Sequence, residues 1–277
     1  MVVAHSDDSM KIARVFPTKT SMSPQDQDAY FGLPELFMPE YGEIHISVVF
    51  TWDIEKAYWL KKQWEHIAPV KIGGVAIDGE GSTFIPNMYV RDGVTKTSVG
   101  CPNNCSWCFV KQPLKELEVN PGNNLIDNNL LACSGSHIEK VFQMLKGQKK
   151  IKFTGGFESS RITEKLAEQL RGLNIERMFF ACDHKSSFPH LKKAISILSK
   201  YFKHRNYLGC YVLIGFKDDT VEKAEERLIE IYRLGFLPFG MLYRNKEGGF
   251  PEPYKEWRSL QHTWTRPAAI NSFMKGK

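Results

Sequence analysis

The sequence predicts an α/β protein built on a partial (β/α)6 TIM-type barrel with a small N-terminal βαβ cap. Two observations carry that expectation. From residue 94 onward, short runs of β-branched and aromatic residues alternate with segments whose apolar positions repeat at helical spacing. That alternation is the pattern of a parallel sheet wrapped by amphipathic helices. Residues 94–247 hold six such strands, short of the eight strands and roughly 250 residues of a closed barrel. The missing staves leave a lateral opening through which a bulky substrate can reach the interior.

Taken in order, residues 1–41 have few periodic apolar positions and read as an irregular arm, with a short helix near residues 24–31. The run from Ile44 to Phe50 reads as a strand. Asp53 is placed to cap a helix over residues 54–66, and Val70-Lys71-Ile72 before Gly73-Gly74 reads as a second strand. Residues 1–93 therefore read as an arm and a βαβ unit. The barrel strands fall at residues 94–99, 125–131, 151–154, 177–182, 207–214 and 236–243. Between them, Ile138, Val141, Phe142 and Leu145 line one helical face, and Ile162, Leu166, Leu170 and Leu173 another. Leu191, Ala194, Ile195 and Leu198 make a third, and Val221, Ala224, Leu228 and Ile231 a fourth. Residues 248–277, with Pro251, Pro253 and Arg266-Pro267, read as a C-terminal segment that closes part of the gap.

Composition is that of a soluble globular protein, 42% apolar and 25% charged over 277 residues. No apolar run reaches the roughly 18 residues of a membrane span. The polar N-terminus has no signal-peptide core, and unpaired-looking cysteines point to a reducing compartment, so a cytoplasmic location is expected. The net charge of +6 is spread over many lysines, with local runs at residues 146–152 and 200–205. Such runs are mostly solvated helix ends and point only weakly to nucleic acid.

Three of the six cysteines fall in one window, Cys101-Pro102-Asn103-Asn104-Cys105-Ser106-Trp107-Cys108, with the spacing C-x3-C-x2-C. Three thiolates on one loop cannot saturate a tetrahedral zinc, and they leave one iron of a cubane cluster without a protein ligand. An open coordination position suits a catalytic centre. A zinc site would need a fourth ligand, and the nearest candidates, Cys133 and His137, are distant in sequence. A disulfide with a spare thiol would need an oxidising compartment.

The spacing, the flanking Gly100-Cys101-Pro102 and the aromatic Trp107 resemble the cluster-binding signature of the radical S-adenosylmethionine (SAM) superfamily. The resemblance implies that Cys101, Cys105 and Cys108 bind a [4Fe-4S] cluster. The amino and carboxylate groups of SAM would chelate its fourth iron, with Trp107 near the bound nucleoside. It also implies an external electron donor such as flavodoxin or ferredoxin. Thr154-Gly155-Gly156-Phe157-Glu158 resembles the family's G-G-E motif with one residue inserted, placing Gly155, Gly156 and Glu158 at the methionine amino group. That motif belongs after the second strand, whereas here it follows the third. In the cobalamin-dependent branch an Asp-Asp-Asn-like cluster does this work, and Ile126-Asp127-Asn128-Asn129 is similar to it. The resemblance then gives the amino group to Asp127 and Asn128, and the cofactor carboxylate to the guanidinium of Arg161. Leu213-Ile214-Gly215 resembles the strand-five motif, which brings Ile214 and Gly215 to the adenine.

The N-terminal βαβ unit looks like the tail of that branch's cobalamin-binding domain. It lacks the D-x-H-x-x-G motif, and His5, His45 and His66 stand in other contexts, so a remnant without bound cobalamin is expected. No cysteine follows Cys210, so no second cluster domain is expected at the C-terminus. Cys182, at a strand's catalytic end, is a candidate hydrogen-atom donor or substrate contact.

The expected function is reductive cleavage of SAM to a 5′-deoxyadenosyl radical that takes hydrogen from a substrate. The sequence does not identify that substrate; nucleic acid or another macromolecule is a candidate. Two alternatives stand beside it: a radical SAM methyl- or methylthio-transferase acting on RNA or protein, and a non-catalytic metal-binding module for nucleic acid.

Overall fold

The computed structural model describes residues 11–79, 81, 83–203 and 205–276. The chain divides into two compact units, one of residues 1–81 and 85–92, the other of residues 82–84 and 93–277. His5 lies outside the described residues.

The first unit contains β1 (Ile12–Val15), β2 (Ala29–Tyr30), β3 (Glu43–Ser47), α1 (Ile54–Trp64), β4 (Val70–Gly73) and the single turn α2 (Val75–Asp78). Its four strands run parallel in the order β2-β1-β3-β4. Alternation sends Ala13, Val15, Ile44 and Ile46 to one face, where Ala57, Leu60 and Trp64 of α1 cover them. The Trp64 indole donates to Gly32 O at 2.9 Å, so its polar edge is satisfied inside the core.

This unit corrects the expectation of an irregular arm. Residues 12–15 and 29–30 are strands, and no helix forms over residues 24–31. Four residues with two inward apolar positions are too few to show a period; their strand character comes from pairing with β3. Phe16 N donates to Tyr30 O at 2.9 Å, and the Tyr41 hydroxyl bonds Asp28 and the Tyr30 hydroxyl, each at 2.8 Å. The Asp53 side chain makes no cap; a 3-10 turn, Thr51–Asp53, leads into α1 instead.

The second unit contains β5 (Val94–Thr95), β6 (Ser98–Val99), β7 (Lys115–Glu116), β8 (Asn124–Leu125), α3 (Gly135–Leu145), β9 (Ile151–Phe157) and α4 (Glu164–Arg171). There follow β10 (Ile175–Ala181), α5 (Phe188–Leu198), β11 (Leu208–Ile214), α6 (Val221–Arg233), β12 (Leu237–Leu242), α7 (Tyr254–Thr263) and α8 (Pro267–Lys275). Six strands form one all-parallel sheet in the order β12-β11-β10-β9-β8-β5. Spatial order follows chain order without reversal, as in a singly wound α/β fold. Among the described residues no ladder joins β5 to β12, so hydrogen bonding does not close the sheet into a barrel. Ser134, Thr163 and Thr220 cap α3, α4 and α6, each accepting from the backbone N–H three residues on, at 3.2, 3.2 and 3.3 Å.

Three strand assignments change. Residues 94–99 split into β5 and β6, and β6 leaves the parallel sheet to pair antiparallel with β7. Residues 125–131 keep strand form only in β8, because the polar side chains after Ile126 bond elsewhere; Leu130–Ala132 is a 3-10 turn. β9 continues through both glycines to Phe157. The C-terminal segment follows β12, the strand at one edge of the parallel sheet. It forms α7 and α8, buries Trp257, Leu260, Trp264 and Ile270 in the main core, and docks on β12, where Gly240 N donates to Trp264 O at 2.9 Å. Among the described residues, no helix is long and apolar enough to cross a membrane.

Candidate metal centre

The residues that precede the cysteine loop decide where it stands. The β6–β7 ladder pairs Ser98 with Glu116 and Val99 with Lys115, pinning residues 100–114 at their base. Above it, Cys101 N donates to Gln112 O at 3.1 Å and Cys108 N to Cys105 O at 3.2 Å. The Lys111 ammonium reaches Cys105 O at 2.6 Å and Asn104 Oδ1 at 3.2 Å. Cys101, Cys105 and Cys108 are free and half-buried.

All three thiols line one cavity of about 360 Å³ at the C-terminal edge of the parallel sheet, together with Trp107, Asn128, Gly155, Gly156 and Glu158. Burial raises the Cys105 pKa, and the nearby Cys108 and Cys101 sulfurs raise it further. Among the described residues, no three Cys, His, Asp or Glu side chains are placed to share a single metal ion. A cubane asks for something else, because each thiolate binds its own iron. Cys133 and His137, the candidates for a fourth zinc ligand, do not line this cavity. The donor set therefore fits a cluster with one open iron better than tetrahedral zinc.

After β8, three consecutive side chains hold the start of the loop. Asp127 is 2% exposed; its Oδ1 accepts from Thr97 N at 2.9 Å, Thr97 Oγ1 at 2.8 Å and Ser98 Oγ at 2.7 Å. Burial pushes its pKa up, and these donors pull against that shift. Asn128 Oδ1 accepts from Gly100 N at 2.9 Å. Asn129 Nδ2 donates to Glu158 Oε2 at 2.7 Å and to Cys101 Sγ at 3.4 Å. Asp127, expected to meet the cofactor amino group, thus faces the polypeptide. Asn129, which the sequence reading left without a role, faces the cavity.

The two glycines have different reasons. A methyl group on Gly155 would stand 1.9 Å from Asp127 O, so only glycine lets β9 pass that carbonyl. Gly156 has φ +95°, which favours glycine. Gly155→Ala is expected to lower stability by about 3 kcal/mol, read by urea unfolding, because backbone rather than a flexible side chain must move.

Glu158 accepts from Asn129, from Arg161 Nε at 2.8 Å and from Ser160 Oγ at 2.7 Å. Burial acts to raise its pKa, but hydrogen bonds from Asn129, Arg161, Ser160 and Asn103 outweigh it and hold the carboxyl at about 2. Because this is below the ordinary 4.5, folding favours the ionised form. The stabilisation is present above pH 4.5 and fades as pH falls toward 2. A carboxyl-carbon NMR titration of the cluster-free protein is expected to show Glu158 titrating below its other glutamates. Arg161 is outside the cavity, with its Nε on Glu158. The guanidinium expected to meet a cofactor carboxylate thus has one of its nitrogens, Nε, on Glu158.

Strand parity removes Cys182 from the site. Ala181 and Asp183 line the cavity, whereas Cys182 points to the helix side, is fully buried, and has its thiol pushed up to about 12 by that burial. It behaves as a small apolar residue. Ile214 is likewise fully buried on the helix side. Gly215 N donates to Asp219 Oδ2 at 3.0 Å, in a turn braced by Arg227, which also bonds Asp219 Oδ2 at 2.8 Å. Their neighbours Leu213 and Phe216 instead line a second cavity of about 430 Å³, which shares Trp107 and Asp183 with the first. Asp183 joins the walls: Trp107 Nε1 donates to its Oδ2 at 3.2 Å and Leu213 N to its Oδ1 at 2.9 Å. Burial raises its pKa against those two bonds. Asp183 follows the end of β10, the catalytic end that the sequence reading marked with Cys182 and Asp183, and it lines the cavity with Ala181.

No protein-family model matches the sequence, and no curated protein matches it. Among solved structures the chain is similar to TsrM, a radical SAM methyltransferase from Kitasatospora setae, solved with cobalamin and a [4Fe-4S] cluster bound. The TM-score is 0.61 and the identity 10%, over 86% of this chain and 76% of that one. A second TsrM structure, with tryptophan substrate and the SAM analogue aza-SAM, gives a TM-score of 0.58 at 10% identity, over 84% and 73%. At that identity the likeness is one of fold: the chain shares the parallel α/β architecture of a radical SAM methyltransferase.

Proposed function

We propose that the protein is a radical SAM enzyme whose Cys101, Cys105 and Cys108 hold a [4Fe-4S] cluster. The observation that carries this reading is three free cysteines, without a fourth, on one cavity at the C-terminal edge of a parallel sheet. The cluster, bound and reduced, would supply the electron that cleaves SAM to methionine and a 5′-deoxyadenosyl radical able to take hydrogen from a substrate. The chain's own residues do the rest. The loop donates three thiolates, and Asp127 and Asn128 fix where it starts. Glu158 keeps its charge through its side-chain donors and offers a carboxylate to a ligand ammonium. Trp107, held by Asp183, lines both cavities and gives the first an aromatic wall. A cavity of about 360 Å³ is within the range of small-molecule sites. The electron comes from an external donor such as flavodoxin or ferredoxin, in the cytoplasm; a net charge of +6 suits an acidic donor.

Anaerobic reconstitution tests the reading. The expected product is a brown protein with about four irons per chain that converts SAM and dithionite to 5′-deoxyadenosine. Zinc as the bound metal, with no affinity for SAM, would reject it in favour of a binding module. One observation favours methyl transfer as a second reading: the similar structures are of a methyltransferase. A labelled SAM methyl group recovered in product would support it.

A further inference from the structure

We propose that Asn129 sets the reduction potential of the cluster by a hydrogen bond from its side-chain amide to Cys101 Sγ. The inference rests on the cluster reading above and adds a role for a residue that holds no iron. Asn129 is 4% exposed, and its Nδ2 stands 3.4 Å from Cys101 Sγ and 2.7 Å from Glu158 Oε2. The orientation of the amide follows from chemistry. An ionised carboxylate only accepts, so the edge facing Glu158 must be the NH2 group, and its second N–H is left for the sulfur. Asn103 N also reaches Cys101 Sγ, at 3.4 Å, so this thiolate receives two donors.

The donor is held from both sides. Leu130 and Leu131, which follow it, are buried, and they anchor the backbone. Glu158 fixes the amide and is itself fixed by Arg161 and Ser160. A donor locked in this way need not reorganise when the cluster changes charge. An N–H bond to a cluster thiolate stabilises the reduced, more negative state and raises the potential, more so in a buried site where the local dielectric is low. Asn129 also stands between the Glu158 carboxylate and Cys101, where a bare negative charge would oppose reduction.

The test compares the reconstituted full chain with Asn129→Leu, which keeps the shape and removes the donor, in an EPR-monitored redox titration. The expected result is unchanged iron content with a lower midpoint. At fixed potential the ratio of reduced to oxidised cluster should fall at least tenfold, about 59 mV for one electron. A second measurement needs no variant. Wild-type protein carrying asparagine labelled with 15N only in the side-chain amide is expected to show coupling of that nitrogen to the reduced cluster by pulsed EPR. An Asn129→Leu midpoint equal to wild type overturns the proposal. So does a labelled wild-type cluster without coupling, and that measurement decides if the variant takes up no iron. A wild-type chain that binds no cluster removes the cluster reading, and this one with it; a normal cluster with neither effect removes this one alone.

Discussion

Cys105→Ala is expected to abolish cluster binding, cutting iron per chain to less than a tenth of wild type and 5′-deoxyadenosine formation to background. Cys105 lies at the middle of the loop, with Cys108 N and the Lys111 ammonium both on its carbonyl. On the proposed reading, removing its thiol would leave two irons of a cubane without a protein ligand, which the remaining pair of sulfurs would not hold. The fold should survive. Cys105 is half-buried, and the loop is anchored below it by the β6–β7 ladder and by Asp127, neither of which involves a cysteine side chain. Stability should change by less than about 1 kcal/mol. Cys182→Ser supplies the opposite outcome: cluster retained, stability lowered by about 2 kcal/mol, because a hydroxyl enters a fully buried apolar site. Iron analysis with thermal unfolding of both variants checks the pair. A cluster that survives Cys105→Ala unchanged would defeat the ligand assignment.

That contrast shows what could be read from the sequence. Three thiols within one loop must lie near one another whatever the fold does, so it was legible from the sequence that Cys101, Cys105 and Cys108 would share one cavity. The strands β10 to β12 were legible because each is six or seven residues of mostly apolar sequence, whereas β9 was legible only up to its two glycines. Cys182 was misplaced by strand parity, since a one-residue change of face carries a side chain from the cavity into the core. β1 and β2 were missed because four residues and two residues carry no period, and their strand form comes from partners further along the chain. Arg161 and Glu158 were both picked out, but three residues of separation did not reveal that they bond each other. Asn129 was hidden for a similar reason: its partners, Cys101 and Glu158, lie 28 and 29 residues away.

Asp127→Ala is expected to be the most damaging change outside the cysteines, lowering stability by roughly 4 kcal/mol and cluster content several-fold. Without the carboxylate, the Thr97 N–H and the Thr97 and Ser98 hydroxyls lose their acceptor. Both residues are fully buried, so water does not replace it, and each orphaned donor costs about 1–3 kcal/mol. The damage is expected to spread to the site because Ser98 is three residues before Cys101, and a loosened β6 would let that proposed ligand wander. Asp127→Asn separates the hydrogen bonds from the charge. It keeps the acceptor oxygen and removes a carboxylate that has its Oδ2 buried without a partner among the described residues. Burial raises the Asp127 pKa, so the folded state holds that proton more tightly than the unfolded one, and ionisation works against folding. Wild type should therefore lose stability relative to Asp127→Asn as pH rises above the ordinary carboxylate value of 3.8. Urea unfolding of the three chains across pH, with iron content beside it, checks the argument. An alanine variant as stable as the asparagine one would mean that the loop takes its position from the β6–β7 ladder alone.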